Sequence, residues 1–317
     1  MTRYIARRLV QAIPILIAVS IILFGLLHLV PGGPMGAYAA SAYVDPAELD
    51  AIERRLGLDD PIPVQYAKWL RGIVTGDWGS SYKYSRPVLN IVGERISPSL
   101  QLVGASLLIA LVLSVPLGLL SAVSSWRLVR YGSSVLSMLG ISIPTFWLGM
   151  MILLFFSVKI QLIPSSGMST IGEDFSVLDR IHHLIAPAFV LATLEIAAWS
   201  RYVRSSVLDI VGEDYVRTAR AKGLTGRTVI VRHVMRNALL PLITLIGLQG
   251  GRLLGGALIT EVVFAWPGMG RLLTESLAAR DYPVLMAVFM LMSVLVIVGN
   301  LAADVGYAVA DPRIRLN

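Results

Sequence analysis

The sequence predicts an all-α integral membrane protein with six membrane-spanning helices. Of its 317 residues, 56% are hydrophobic and only 15% are charged, and the mean hydropathy is +0.72. Soluble domains average about 25% charged residues. Several apolar stretches are long enough to cross a bilayer core of roughly 30 Å at a rise of 1.5 Å per residue. Together these observations indicate a multi-pass membrane protein.

The first span is predicted within residues 1–30. Arg3, Arg7 and Arg8 precede residues 9–30, which contain no Asp, Glu, Lys or Arg. A cleaved signal peptide is the alternative, because several alanines follow, but its apolar stretch is expected to be only about 7–15 residues long. The length of the run therefore favours a retained anchor helix.

Residues 31–97 are too polar to span a membrane and are predicted to be extracytoplasmic. Short amphipathic helices are expected over residues 45–56 and 61–73, where prolines stand near the helix starts. A Gly-Asp-Trp-Gly turn follows at residues 76–79, and then a polar run over residues 80–87. This segment forms either a lid over helix ends or a contact surface for a soluble protein.

The remaining five spans form a predicted core over residues 98–308. They are expected at residues 100–123, 132–158, 185–210, 238–264 and 284–308, with a loop at 211–237 and a tail at 309–317. Residues 185–199 are the apolar part of the fourth span, which continues past Arg201 and Arg204. The fifth span is rich in glycine, which allows close helix approach or a bend.

The distribution of basic residues predicts the orientation. Segments on the side of the N-terminus contain 15 Lys and Arg, including eight between Arg201 and Arg236. The opposite side contains 11, of which seven lie in residues 31–97 beside eight acidic residues. Basic residues in short loops mark the cytoplasmic side. Both termini are therefore predicted to be cytoplasmic.

Several function classes are disfavoured by composition. The net charge of +7 follows the membrane-side rule and does not indicate nucleic-acid binding. The chain has no cysteine, and its four histidines form no His-Glu-x-x-His motif. It also lacks the Gly-x-x-x-x-Gly-Lys-Ser/Thr phosphate loop. No catalytic residue, cofactor site or metal site is predicted, and any ATP chemistry must belong to another subunit.

Four ionisable residues fall in or near predicted spans, where charge is costly and faces a cavity, a partner or a pathway. They are Glu195, Arg252, Glu261 and Asp304. Arg252 is the sharpest case, because a guanidinium cannot become neutral by losing a proton. It forms either a structural ion pair with Asp304 or Glu195, or a contact with the transported solute. Glu261 is a candidate for capping, pairing or gating.

The most charged stretch, residues 213–241, begins with a short predicted helix over residues 213–222. Asp214 and Lys222 are placed to complement the helix dipole, and Gly223 suits the left-handed conformation that ends a helix. Tyr215, Ala219 and Lys222 are spaced to share one face. The small side chains of Ala219 and Ala221 are expected to let another protein approach the helix backbone.

The order of residues in this stretch resembles the cytoplasmic coupling loop of permease subunits from ABC importers. The variant found in dipeptide and oligopeptide importers fits best, with Tyr215, then Ala-Arg-Ala-Lys-Gly-Leu over residues 219–224, Arg-His at 232–233 and Asn-Ala-Leu at 237–239. A second similar stretch runs from Glu-Val-Val-Phe at 261–264 to Asp-Pro-Arg at 311–313. With the N-terminal Arg-Tyr-x-x-Arg-Arg, the resemblance covers nearly the whole chain. The long segment 31–97 points to the B-type permease of such systems.

This resemblance implies the type I ABC importer permease (MetI-like) fold in a bacterial or archaeal plasma membrane. It implies a homologous second permease, two cytoplasmic ATPase subunits that bind ATP and magnesium, and an extracytoplasmic solute-binding protein. The family carries peptides, nickel chelates, glutathione and some oligosaccharides, so the solute stays open. The ATPase-coupling residues it implies are Asp214, Tyr215, Arg217, Thr218, Ala219, Arg220, Ala221, Lys222 and Gly223. Candidate contacts for the binding protein are Asp77, Trp78, Tyr82 and Tyr84.

Two other function classes remain as alternatives. An ion-gradient-driven secondary transporter would use Glu195, Glu261 or Asp304 as a proton site. The coupling-helix pattern argues against that class. An intramembrane enzyme lacks a nucleophile-base or metal constellation in the sequence.

Overall fold

The computed structural model describes residues 2–30, 33–35, 57–239, 242, 245–246 and 257–310, and these residues are mainly helical. In chain order the helices are α1 (Thr2–Leu29), α2 (Ile62–Thr75), α3 (Val88–Val123), α4 (Arg127–Ser142), α5 (Thr145–Ile152), α6 (Val177–Val211), α7 (Asp214–Ala221), α8 (Gly226–Thr228), α9 (Met235–Ala238), α10 (Leu258–Val263), α11 (Met269–Ala278) and α12 (Tyr282–Ala310). π-Helical turns occupy Leu153–Lys159 and Val229–Val234.

Within the described residues, four helices are long and apolar enough to cross a membrane: α1, α3, α6 and α12. A fifth span is possible if α4 and the helix Thr145–Lys159 are counted together. The predicted span at 238–264 contains residues outside the described set, and so does the predicted short helix at 45–56. Of the tail, residues 311–317 lie outside it too.

The third predicted span, residues 132–158, is not one continuous helix. The chain bends by 102° between α4 and the helical segment Thr145–Lys159, which begins with α5. Pro144 stands at this break, and Ile143 before it is extended, with φ −81° and ψ 122°. A residue that precedes proline is disfavoured in the helical region, because the proline ring clashes with its backbone. The prediction of an uninterrupted span was therefore wrong at Pro144.

Other helix boundaries differ because hydropathy marks the apolar part of a helix and not its end. Helix α3 begins at Val88, before the predicted residue 100, and includes the charged residues Glu94 and Arg95. Helix α6 begins at Val177, where the Ser176 hydroxyl accepts a hydrogen bond from the Asp179 backbone N–H. Helix α11 was not predicted.

One compact unit contains residues Leu100–Trp266 together with the chain from Val298 onward. In this unit α4 and α6 are joined by polar contacts. The hydroxyls of Ser137 and Ser200 lie 3.0 Å apart, and Arg204 donates to the Ser134 hydroxyl at 2.6 Å. Gly118 of α3 approaches α6 so closely that a Cβ there would lie 2.6 Å from the Ser200 carbonyl oxygen. Small and hydroxylated residues thus allow these helices to pack tightly.

The second unit contains Thr2–Ser99 and Pro267–Ile297. Its apolar cluster is formed by the start of α3, by α11 and by the start of α12, with Val88, Leu272 and Val284 fully buried. Helix α2 contacts α1 through Tyr66, whose hydroxyl lies 2.8 Å from the Ser20 hydroxyl. This unit positions the turn at residues 76–79 and the run at 80–87.

Candidate functional site

The short helix predicted in the charged stretch is present as α7. Glu213 precedes it in extended conformation, Asp214 lies in its first turn, and Lys222 follows its last residue. Gly223 has φ +79°, which confirms the left-handed conformation expected at the helix end. The basic and acidic ends therefore complement the helix dipole as predicted.

One face of α7 is anchored in the chain's own core. Val216 is fully buried and Ala219 is only 6% exposed. Both belong to an apolar cluster with Val203 of α6 and with Val229 and Val234 of the π-helical turn. Helix α7 is thereby fixed to α6 by side-chain packing, which stabilises an otherwise polar helix.

This packing corrects the predicted orientation of Ala219. Tyr215 and Lys222 are exposed, whereas Ala219 points inward with Val216 three residues before it. Residues three apart share a helix face, so the Val216–Ala219 pair defines the buried side. Ala219 lies in the apolar cluster and is not available to a partner's backbone.

The exposed surface of α7 is basic. Its exposed residues are Asp214, Tyr215, Arg217, Thr218, Arg220 and Ala221, followed by Lys222 and Gly223. Arg217 contacts Asp214 at 3.2 Å, and both side chains are largely solvated. The Tyr215 hydroxyl accepts a hydrogen bond from Asn237 Nδ2 at 2.9 Å, which ties α7 to α9. Ala221 is the small residue on this exposed surface.

Four ionisable residues were predicted in or near the spans, and the structure describes the side chains of two of them. Glu195 of α6 is 5% exposed and Glu261 of α10 is 1% exposed. Both therefore lie inside the protein and not on the lipid-facing surface. Arg252 lies outside the described residues. Asp304 lies on α12, and its side chain is outside the described set.

The candidate contacts for a soluble partner are mostly turned towards the protein. Trp78 donates from Nε1 to the Ile73 carbonyl at 3.1 Å, and the Tyr84 hydroxyl donates to Glu275 at 2.8 Å. Tyr82 is half-buried, and Asp77 is exposed. Trp78 and Tyr84 thus contribute to the stability of the turn and of the following run.

A buried carboxylate that sequence reasoning did not select holds residues 80–87, here named the hairpin. Asp281 is fully buried and accepts backbone N–H bonds from Tyr82 at 3.1 Å and from Lys83 at 3.2 Å. The Ser81 hydroxyl also donates to Asp281 and accepts from the Tyr84 N–H. The sequence feature that could have identified Asp281 is its place between Arg280 and Tyr282, in the second stretch that resembles the permease family.

A second carboxylate, Glu275 of α11, also holds the hairpin. It accepts from the Tyr84 hydroxyl and from Arg271 Nε at 2.7 Å, and Lys83 lies 3.8 Å away. Burial raises the pKa of the Glu275 carboxyl, but the Tyr84 hydrogen bond and the charges of Arg271 and Lys83 outweigh it. The pKa of Glu275 is therefore below its usual value of 4.5.

Known proteins resemble this chain over nearly its whole length. Residues 114–316 match the family described as binding-protein-dependent transport system inner membrane component, and residues 1–103 match the N-terminal family of the same system. The oligopeptide transport system permease protein AppB of Bacillus subtilis is 42% identical over 99% of this chain and 100% of its own length. The dipeptide transport system permease protein DppB of Escherichia coli K12 is 38% identical over 99% of both chains.

A solved structure shows the same fold. A chain of the MetNI methionine ABC transporter, in an inward-facing conformation, aligns with a TM-score of 0.57 over 70% of this chain and 97% of its own length, at 19% identity. This likeness, with the long apolar helices, confirms a helical membrane protein of the ABC-permease fold. The chain therefore belongs to the family of binding-protein-dependent transport system inner membrane components.

Proposed function

We propose that this chain is a permease subunit of an ATP-driven importer and forms half of the translocation pathway for peptides. The observation that carries the proposal is full-length identity of 42% and 38% to proteins named as oligopeptide and dipeptide permeases. Nickel chelates, glutathione and oligosaccharides are the alternative solutes. The solute-binding protein, and not this subunit, is expected to select among them.

The proposed assembly contains a homologous second permease, two cytoplasmic ATPases that bind ATP and magnesium, and a solute-binding protein. The exposed basic surface of α7 is proposed to dock in a groove of one ATPase. Its support is geometric: α7 is fixed to α6 through Val216 and Ala219, so force on α7 is transmitted to a 35-residue helix. Closure of the ATPases then moves the bundle between inward-open and outward-open states.

Six spans with cytoplasmic termini are proposed for the topology. Four spans and one broken span are supported by the described helices. We propose residues 238–264 as the sixth span because of their apolar sequence. The test is single cysteines at three exposed positions, Ser80, Ser169 and Thr225. We expect labelling from outside intact cells at Ser80 and Ser169 only. Labelling of Thr225 without permeabilisation would contradict both the topology and the docking of α7.

The pathway is proposed to involve the charged residues of the spans. The burial of Glu195 and Glu261 supports an inward-facing role for both. For Arg252 two roles are separable by the variant Arg252→Ala. A structural ion pair predicts less folded complex, because its partner is left buried and unpaired. A pathway contact predicts normal complex yield with reduced transport, and normal values of both would exclude both roles.

The proposed function is tested by uptake of a labelled tripeptide into proteoliposomes containing the complete complex and loaded binding protein. We expect uptake to require ATP on the ATPase side and to be unaffected by a protonophore. Uptake that continues without ATP but stops with the protonophore would instead establish an ion-gradient-driven transporter.

A further inference from the structure

A cavity of about 830 Å³ lies within the second unit. This volume falls in the range of about 300–1,000 Å³ that is typical of small-molecule sites. Its walls come from the end of α1, from α2, from the turn at 76–79, from the hairpin and from the start of α12.

The cavity lining mixes apolar and aromatic side chains with polar ones and has few charges. Phe24 and Leu27 of α1 and Met286 of α12 contribute apolar side chains. Aromatic rings come from Trp69, Trp78, Tyr82 and Tyr282. Such a lining suits a ligand that combines an apolar body with polar groups, and the electron-rich faces of aromatic rings attract cations.

The described lining contains two charged side chains, Lys68 and Asp77. Lys68 is paired with Asp60, which neutralises its charge. His28 is engaged on both ring nitrogens, with the Phe24 carbonyl at 2.9 Å and Gln65 Oε1 at 3.1 Å.

Asp77 is the other charged side chain among the described lining residues. It is exposed, and its one hydrogen-bond partner among the described residues is the Gly79 N–H, at 3.2 Å. An exposed carboxylate beside aromatic rings is a receptor for a cation.

The turn that carries Asp77 is fixed before any ligand binds. The Asp77 N–H donates to the Gly72 carbonyl at 2.9 Å, and Trp78 Nε1 donates to the Ile73 carbonyl at 3.1 Å. Both contacts hold the turn against α2. A ligand therefore meets a carboxylate and an indole ring that need little reordering, which lowers the entropic cost of binding.

We propose that this cavity binds a primary ammonium group carried on an apolar body, with Asp77 as the acceptor of the ammonium. Two sources supply this chemistry. One is the free N-terminus of a short peptide, which rests on the proposed function. The other is the ethanolamine headgroup of a phospholipid, because the ends of two candidate spans, α1 and α12, line the cavity.

The test uses the complete transporter complex in phosphatidylcholine nanodiscs, without binding protein or ATP. Binding of the tripeptide Ala-Phe-Ala and of its N-acetyl form is measured by calorimetry. Native mass spectrometry of complexes from mixed phosphatidylcholine and phosphatidylethanolamine membranes counts retained lipid. Asp77→Asn removes the charge but keeps an oxygen for the Gly79 N–H. Asp59→Asn, an exposed acid that does not line the cavity, is the control.

For the peptide source, we expect acetylation and Asp77→Asn each to weaken binding about tenfold, the loss of one charged hydrogen bond, with Asp59→Asn unchanged. For the lipid source, phosphatidylethanolamine is retained by the wild type and lost in Asp77→Asn. Either result supports the proposal and identifies the ligand. The proposal is overturned if neither ligand binds, or if binding does not change in Asp77→Asn. If peptide uptake by the complete system then persists, the proposed function stands without this site.

Discussion

Two exposed segments of this protein are held in place by opposite means. Helix α7 is fixed by apolar contacts, in which Val216 and Ala219 enter a cluster with Val203, Val229 and Val234. The hairpin at residues 80–87 is fixed by carboxylates, because Asp281 and Glu275 accept its backbone, hydroxyl and phenol donors.

The two kinds of contact make the segments sensitive to different changes. Apolar packing tolerates changes of pH but not a buried charge or a change in volume. A carboxylate that accepts several hydrogen bonds depends on its atoms and on its ionisation. The two segments should therefore respond to different substitutions and to different conditions, which the following predictions test.

The largest expected effect is that of Ala219→Asp. The aspartate would be an unpaired charge inside the apolar cluster, and we expect a loss of stability of about 3 kcal/mol or more. Ala221→Asp places the same residue on the exposed surface of α7, where the cost is at most about 0.5 kcal/mol. Thermal unfolding of the purified subunit and trypsin cleavage after Arg217 measure the difference. Equal stability of the two variants would show that Ala219 is not buried.

The next effect is that of Asp281→Ala. It leaves the N–H groups of Tyr82 and Lys83 without their acceptor, at a cost of about 2–3 kcal/mol. Its control is Glu94→Ala, which removes a solvent-exposed ion pair with Arg86 and should cost less than about 1 kcal/mol. Hydrogen exchange of the hairpin amides is the direct measurement. Unchanged protection of Tyr82 and Lys83 in Asp281→Ala would refute the role assigned to Asp281.

A smaller effect is expected for Gly223→Ala. The backbone there has φ +79°, and no atom of the described residues lies within 4 Å of an added Cβ, so the expected cost is conformational. We expect about 1 kcal/mol, as for other residues forced into the left-handed region. Gly226→Ala, whose φ is not positive, is the matched control. Chemical denaturation of both variants measures the difference. Equal denaturation midpoints would contradict the left-handed conformation of Gly223 at the end of α7.

The smallest effect concerns pH. Because the pKa of Glu275 is below its usual value of 4.5, its contribution to stability is complete above that value and is lost as the pH falls through the lower, folded pKa. Glu275→Gln should therefore be less stable than wild type at neutral pH, and the difference should shrink below pH 4.5. Thermal midpoints at several pH values test this. A stability difference that grows on acidification would contradict a lowered pKa of Glu275.

The sequence predicted the helical membrane class and α7, because hydropathy and helix-end chemistry are local properties. Residues 213–223 contain the anions, the cations and the glycine that define a short helix. The orientation of Ala219 could not be predicted from spacing. Ala219 lies four residues after Tyr215 and three after Val216, and spacing does not show which of these two neighbours marks the buried side. Only the position of α6 and of the π-helical turn decides between them.

The hairpin contacts were beyond sequence reasoning for another reason. Ser81 and Asp281 are separated by 200 residues, and nothing local to either predicts their contact. The break at Pro144 could have been predicted from the sequence, because proline disfavours the helical conformation in the residue before it. The hydropathy of residues 132–158 masked that signal.

The proposed coupling of the exposed α7 surface to an ATPase can be measured directly through ATP hydrolysis. The measurement is hydrolysis by the reconstituted complex with and without loaded binding protein, for wild type and Ala221→Asp. We expect Ala221→Asp to keep the unfolding temperature of the subunit but to lose ATPase co-purification and the stimulation by binding protein. Normal assembly and normal stimulation in Ala221→Asp would contradict the proposed coupling.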